Sequence, residues 1–304
     1  MLRGYEIAGN KIVESEQTPS PIMVYINPEE AEKRHLVDEL RIDEHTLASA
    51  LDPDELSRLE FEPDHIALIY KRPRNYSGKD QLLFKVASSG AFLFKGRLII
   101  VRTDDAPLFD GKSFTRVQLL SEVMLKLIFR SISHFVEHLK VFNLITDELE
   151  QKINTAMENK YLLNLFTLEK SLVYYLNSIN SNGALIEKLK YNASKIGFTV
   201  EEQELLDDLI IENSQCYRQA EIQSNILASL MDARASIVSN NLNVLMKTLN
   251  LITIGIMVPT LVVSVFSMNV PIPGEGHVLS FWGILALALA SVGGMMALWK
   301  RIRR

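Results

Sequence analysis

Two stretches near the C-terminal end constrain this 304-residue chain more than any other feature. Residues 249–266, reading LNLITIGIMVPTLVVSVF, and residues 278–299 contain no charged side chain. A bilayer's hydrocarbon core is crossed by about 20 apolar residues in helical form, so each run is long enough to span it. The segment between them, 267–277, has no Lys or Arg, whereas Lys300, Arg301, Arg303 and Arg304 crowd the last five positions. Basic flanks remain on the cytoplasmic side. The expected topology therefore has two spans, a short extracytoplasmic loop, and both termini in the cytoplasm, with everything before Leu249 forming a cytoplasmic body.

The first span is not uniformly apolar. Alternating steps of three and four from Asn243 reach Met246, Asn250, Thr253, Met257, Thr260, Ser264 and Ser267, each polar or a methionine among Leu, Ile and Val neighbours. Such steps keep side chains on one helical face. Small and hydroxylated residues can mark close helix packing in lipid. Asn243 and Asn250 point elsewhere, because bulky amides do little for close approach and are costly to leave unpaired in hydrocarbon. The sharper expectation is that several copies of this helix turn the stripe toward water, where neutral oxygens meet an ion without trapping it. Leu249, with Met246 and Met257, is a candidate apolar constriction. Two helices per chain cannot enclose a pore, so this reading requires a symmetric homo-oligomer.

The stretch SNNLNVLMKTLNLITIGIMVPTLVVSVFSMNVPIPG resembles the membrane end of the CorA family of divalent-cation (Mg²⁺) transporters. The matching features are Asn243, Met246 and Lys247 at the inner end, Pro259 within the span, and Ser267-Met268-Asn269 where that family carries Gly-Met-Asn. The residues preceding it are similar to the family's long stalk helix. The resemblance implies a CorA-like funnel assembled as the family's homopentamer, with Ser267, Met268 and Asn269 at the outer mouth. It also implies Mg²⁺ as substrate and possible regulatory ligand. Asn269 oxygens would bind the hydration shell of an ion that dehydrates reluctantly. Ser267 is the departure: where glycine supports a positive φ, a serine would be strained.

Composition narrows the rest. A net charge of −5 and no long basic run before the end argue against nucleic acid as a partner. Cys216 is the single cysteine, which excludes an intrachain disulfide framework and suits a reducing cytosol. The first residues, MLRGYEIAGNKIVES, have no apolar core of a cleavable signal, so the two spans are expected to direct insertion into a cell (inner) membrane.

Upstream of the spans, the pattern predicts an α/β N-terminal cytoplasmic domain followed by long helices and two C-terminal transmembrane helices. Strands are expected around a hairpin at Gly9-Asn10, at residues 22–26, 66–71, 82–86, 91–94 and 98–101, with a helix starting after an Asn27 cap. Long helices are expected over 117–156, over 161–178 with a turn at Asn182-Gly183 before resuming to 191, and over 200–269, the last capped by Thr199 with Glu202. The expected divisions are 1–112, an α/β domain; 113–198, a helical hairpin region; 199–269, the stalk helix and first span; 270–277, the outer loop; 278–299, the second span; and 300–304, the tail.

Local motifs for catalysis are weak, and no enzyme activity is expected. His134 and His138, with Glu137 between them, lack a third metal ligand and read as ordinary helix surface; Asp110-Gly111-Lys112-Ser113 lacks the first glycine of a phosphate loop and reads as a turn. Asp207, Asp208, Glu212 and Asp232 project from the stalk among apolar neighbours. The resemblance implies that Asp208 belongs to a carboxylate sensor for cytosolic Mg²⁺ between subunits. Its partner in the N-terminal domain is left open among Asp52, Asp54 and Glu55. Carboxylates gathered there repel unless a cation neutralises them, so ion loss would loosen the ring.

The expected function is channel-like import of Mg²⁺, with Co²⁺ or Ni²⁺ as further candidate ions, gated by divalent cation bound between subunits. The partners are a divalent metal cation, the lipid bilayer and copies of the same chain. Two alternatives stay open: a Zn²⁺ transporter of the ZntB type, and a non-conducting membrane-anchored sensor or scaffold with the same fold.

Overall fold

The computed structural model describes residues 1–15, 19–76, 82–110, 114–155, 159–268 and 277–302. The chain divides into two compact units, Met1–Met231 and Asp232–Arg304.

The first unit is built on a seven-stranded sheet. Its strands are β1 (Leu2–Ala8), β2 (Lys11–Glu14), β3 (Ile22–Ile26), β4 (Arg58–Phe61), β5 (His65–Pro73), β6 (Val86–Phe94) and β7 (Arg97–Arg102), in the spatial order β2-β1-β3-β7-β6-β5-β4. Only β3 and β7 pair in parallel; all other neighbours are antiparallel. Gly9 and Asn10 turn β1 into β2 with φ of 58° and 61°, the left-handed pair that a tight hairpin requires.

Strand β3, IMVYI, is buried throughout because both faces of the sheet are covered. Ile22, Val24 and Ile26 join Leu68, Leu98 and Ile100 in a core shared with α3 (Leu120–Thr155) and α4 (Asn159–Tyr191). Met23 and Tyr25 face the other way, toward Leu36, Ile42, Leu47 and Ala50. Those four belong to the segment running from α1 (Glu30–Arg34) through a π-helical turn (His35–Glu39) to α2 (Glu44–Leu51). The period-two alternation of a strand thus serves two separate cores.

Several local expectations are corrected. The first helix is capped by Glu29, whose backbone N–H donates to Glu32, while Asn27 takes a φ of 43°. Of the separate strands expected at 82–86 and 91–94, residues 82–85 are not strand, and a single strand, β6, runs from Val86 through Ser88, Ser89 and Gly90 to Phe94. Gly90 sits where an added Cβ would stand 2.7 Å from Ala50 Cβ and 2.8 Å from the Phe92 ring, so only glycine lets α2 approach. Strand β4 was not anticipated.

The turn expected at Asn182-Gly183 is absent: α4 continues through both residues. Asn182 is fully buried and spends its amide on the sheet, while a Cβ on Gly183 would lie 2.9 Å from Asn213 Nδ2. Tertiary hydrogen bonding and close helix approach override local turn preference there. After α5 (Ala193–Ile196), Gly197 adopts φ 86° and ends the helix. The capping box at the next start forms as expected: Thr199 N donates to Glu202 at 2.8 Å and Glu202 N to Thr199 Oγ1 at 3.2 Å.

Helix α6 (Val200–Phe266) is 67 residues long and passes without interruption through Pro259. Within the first unit, its Leu206, Leu209, Cys216, Ala220 and Leu227 are buried in the helical core. The second unit holds the remainder of α6 and α7 (Val278–Ile302).

Candidate ion pathway

In the second unit, α6 has two distinct faces. Asn243, Met246, Asn250, Thr253, Met257, Thr260, Ser264 and Ser267 are all exposed, as is Leu249. Leu251, Gly255, Val258, Pro259, Val262 and Phe266 are partly covered. At about 100° per residue these two sets point in opposite directions. Helix α7 presents a matching covered face through Ile284, Ala288, Ser291 and Met295, and a Cβ on Gly255 would lie 3.8 Å from Met295 Cε. Gly255 therefore marks the side of α6 that α7 occupies, and the polar stripe lies on the side that α7 leaves open. That packing face had not been singled out in the sequence, although its steps of three and four are as regular as those of the stripe.

The hydroxyls on this helix are tied to its own backbone. Thr253 Oγ1 donates to Leu249 O at 2.9 Å, Thr260 Oγ1 to Ile256 O at 2.7 Å, and Ser267 Oγ to Ser264 O at 2.9 Å. These bonds replace the partners a hydroxyl would otherwise seek across a packed interface.

The end of the helix is ordinary in conformation. Ser267 N bonds Val263 O at 3.1 Å, and Ser267 is not among the residues with positive φ. The strain anticipated for serine in place of glycine is not present. Met268 is exposed beside it. Asn269, most of the outer loop including Glu275, and Arg303 and Arg304 lie outside the described residues.

The acidic candidates on α6 differ in their surroundings. Asp207 is paired with Lys190, Nζ to Oδ2 at 2.7 Å. Asp208, Glu212 and Asp232 are exposed and have no cationic partner among the described residues. Burial, with a smaller push from Glu212, raises the Cys216 thiol to about 12, so that cysteine stays protonated and inert. Of the N-domain candidates, Glu55 is engaged by Arg58 at 3.3 Å and Asp52 accepts from Asp54 N at 2.9 Å, while Asp54 is exposed. No group of three or more His, Cys, Asp or Glu side chains fit to hold a metal occurs among the described residues of the single chain.

His134 and His138 are not the ordinary surface that their spacing suggested. His138 is buried against α4, its Nδ1 2.6 Å from the Tyr175 hydroxyl, and the His134 imidazole lies 4.4 Å from it, half-buried on the same helix α3. Burial pushes both rings down to about 4, helped at His134 by Arg130 and at His138 by His134. Glu137 points outward to Arg130. The phosphate-loop-like residues 111–113 lie outside the described residues.

A mixed sheet covered on both faces, joined to two helices long and apolar enough to cross a membrane, defines a membrane protein with a large soluble domain. One of those helices carries an exposed polar stripe, which in a membrane span is either a packing face or the lining of a polar path. Comparison with known proteins agrees. Residues 23–301 match the family described as CorA-like Mg²⁺ transporter protein, and the chain belongs to that family. Its members are ion transporters, carrying divalent cations. The cobalt/magnesium transport protein CorA of Methanocaldococcus jannaschii is 24% identical over 296 residues, covering 90% of this chain and 88% of that one. The complete structure of that magnesium transporter superposes with a TM-score of 0.80 at 19% identity, covering 99% of this chain and 96% of the other. The full-length CmaX protein gives 0.72 at 16% identity, over 99% and 97%. The cytoplasmic domain of ZntB from Vibrio parahaemolyticus gives 0.58 at 13% identity, over 78% and 98%.

Proposed function

We propose that this protein is a channel-like importer of Mg²⁺ that works as a ring of identical chains, five as in the family resemblance. The observation that carries this reading is the polar stripe of α6, exposed along its whole length on the face opposite α7. In a ring, α7 takes the lipid side and the stripe faces a wet axis. Asn243 then forms an inner polar ring. Asn250, Thr253, Thr260 and Ser264 line the middle, and Met246, Leu249 and Met257 form apolar constrictions that close by dewetting. Ser267, Met268 and Asn269 form the outer mouth, where amide oxygens hold the ion's hydration shell. The chain lies in the cell (inner) membrane with both termini in the cytoplasm, as the basic tail favours.

Gating follows from the acidic face. Asp208, with Glu212 and Asp232, has no cationic partner among the described residues, so a divalent ion between subunits is the natural counter-charge. Asp207 contributes less because Lys190 already neutralises it. High cytosolic ion holds the ring closed and low ion releases it.

Substrate choice is tested by purifying the full chain, sealing it in vesicles, and following Mg²⁺ and Zn²⁺ uptake at two proton gradients. Potential-driven Mg²⁺ flux indifferent to the proton gradient is expected. Proton-coupled Zn²⁺ flux would replace this reading with a ZntB-type transporter, for which the likeness to the ZntB cytoplasmic domain supplies fold alone. Absence of any flux would leave a membrane-anchored sensor.

A further inference from the structure

The soluble unit holds a cavity of about 230 Å³ between the sheet and α3, remote in sequence from every residue assigned above to the ion pathway. Its walls include Arg72 from β5, Arg102 from β7, and Arg130 and His134 from α3, with Asp110 also lining it. Two of these guanidinium groups are nearly enclosed: Arg102 is 2% exposed and Arg72 is 7% exposed. Arginine is almost never buried to this degree unless paired. Asp104 bridges them, accepting from Arg72 Nη2 at 2.7 Å and from Arg102 Nη2 at 2.6 Å. Between two guanidinium groups its carboxyl falls to about 2 and stays ionised.

One carboxylate does not satisfy this many donors. A guanidinium carries five N–H groups. Arg72 spends three, on Ser89 Oγ, Pro73 O and Asp104. Arg102 spends one, on Asp104, and its Nε is enclosed with no hydrogen-bond partner among the described residues. Arg130 gives one bond to Glu137 in a pair open to solvent, which holds it only weakly. Arg72, Arg102 and Arg130 against Asp104 and Asp110 leave one positive charge in excess around the cavity. Burial and Arg102 both push Arg72 below its usual range, and Arg130, Arg72 and Arg102 all add to the burial that keeps His134 neutral, against the opposing pull of Asp104. A neutral imidazole in the wall offers a further hydrogen-bonding group without adding charge.

We propose that this cavity is a binding site for a phosphate-type oxyanion, either orthophosphate or a small phosphate monoester, held by Arg102, Arg72 and Arg130. Planar forks converging from three elements match tetrahedral oxygens better than a single carboxylate plane. The volume exceeds that of orthophosphate alone, and Leu108 and Leu127 supply an apolar wall for a small organic group. Because the ligand would join β5 and β7 to α3, its binding should stiffen the sheet-to-helix contact.

The test is calorimetric titration of the full-length protein in detergent at constant ionic strength, with orthophosphate in one arm and glycerol phosphate in the other. Saturable binding of one anion per chain is expected. It should weaken about tenfold or more, equivalent to about 1.4 kcal/mol, in Arg130→Gln, which removes a half-exposed donor, and in Ala106→Phe, which fills the cavity. A tighter monoester would identify an organic phosphate as the ligand, and equal or tighter orthophosphate the free anion. Melting curves certify each variant's fold, and the Arg130 substitution, at a solvent-open pair, is the one that decides if the cavity-filling variant does not fold. No heat from either probe at millimolar concentration would overturn the proposal and leave the cavity to water. Undiminished binding in the folded variants would also overturn it, by placing the anion elsewhere. Neither readout depends on ion flux.

Discussion

Asn182 holds both backbone groups of Lys71. Its Oδ1 accepts from Lys71 N at 2.8 Å and its Nδ2 donates to Lys71 O at 2.8 Å. Strand β4 pairs with β5 only as far as Arg58 opposite Ile69, so at Lys71 the amide of a helical side chain stands in for the next residue of a strand. The same Oδ1 accepts from Ser57 Oγ at 2.8 Å, which ties down the chain entering β4.

Asn182→Leu is therefore expected to destabilise the soluble unit by about 1–3 kcal/mol, because the Lys71 N–H is left buried without an acceptor. The Lys71 carbonyl keeps Ser131 Oγ, so the loss falls mainly on the donor. Thermal or urea melting of the purified chain checks this; a change under about 0.5 kcal/mol, the range of an ordinary surface substitution, would contradict it.

The buried histidines predict acid sensitivity. Both have folded pKa values near 4, below the ordinary 6.5. Between those values the unfolded chain binds more protons, so stability is intact above pH 6.5 and falls as pH drops toward 4. Each fully shielded ring costs up to about 1.4 kcal/mol per pH unit in that window. His138→Phe should flatten the melting temperature measured from pH 7 to 5, and an unchanged slope would count against the assignment.

Conduction through the stripe makes Asn250→Leu informative. An apolar ring there should lower Mg²⁺ uptake at least about tenfold, a barrier increment of about 1.4 kcal/mol, while leaving assembly intact. The control is Ile252→Val, on a different side of α6, expected to transport normally. Uptake in vesicles, compared at equal protein incorporation, decides the matter.

At the outer mouth, Ser267→Gly should leave uptake within about twofold, since Ser267 already sits in helical backbone without strain. Asn269→Ala should abolish uptake if the amide ring holds the hydrated ion. Normal flux in the alanine variant would remove Asn269 from the mouth.

For the sensor, Asp208→Asn should shift the closing concentration of internal Mg²⁺ upward by about an order of magnitude, as removal of one carboxylate ligand from each site weakens divalent binding. Asp207→Asn should shift it less, because Lys190 shares that charge. Equal shifts in the two variants would show that the assignment does not discriminate between them.

The elements most readable in the sequence were those whose cause is local. Gly9 and Asn10 make a turn by their own conformational freedom, and Thr199 with Glu202 closes a capping box within four residues. The exposed stripe was readable because periodicity alone defines a face. What escaped notice depends on distant partners. Ser88 and Ser89 interrupt an apolar pattern, yet lie inside β6 because Lys71 Nζ and Arg72 Nε on the neighbouring strand bond their hydroxyls at 2.9 and 2.8 Å. Asn182 read as a turn former because nothing near it in sequence announces Lys71, 111 positions away. Arg72 and Arg102 fall just past the strands expected at 66–71 and 98–101 and drew no reading of their own; only folding shows that they converge on Asp104.

The hydroxyls of Thr253, Thr260 and Ser267 have a consequence beyond helix geometry. Each has given its one hydrogen to a carbonyl of its own turn, so what it turns outward is lone-pair density alone. In the pore proposed above, these three oxygens would meet the outward-pointing hydrogens of water clustered around a cation, whereas the amides of Asn243 and Asn250 would supply donors on the same face. An uncharged helix would then favour cations at these three positions, and it would do so by where three protons have already gone.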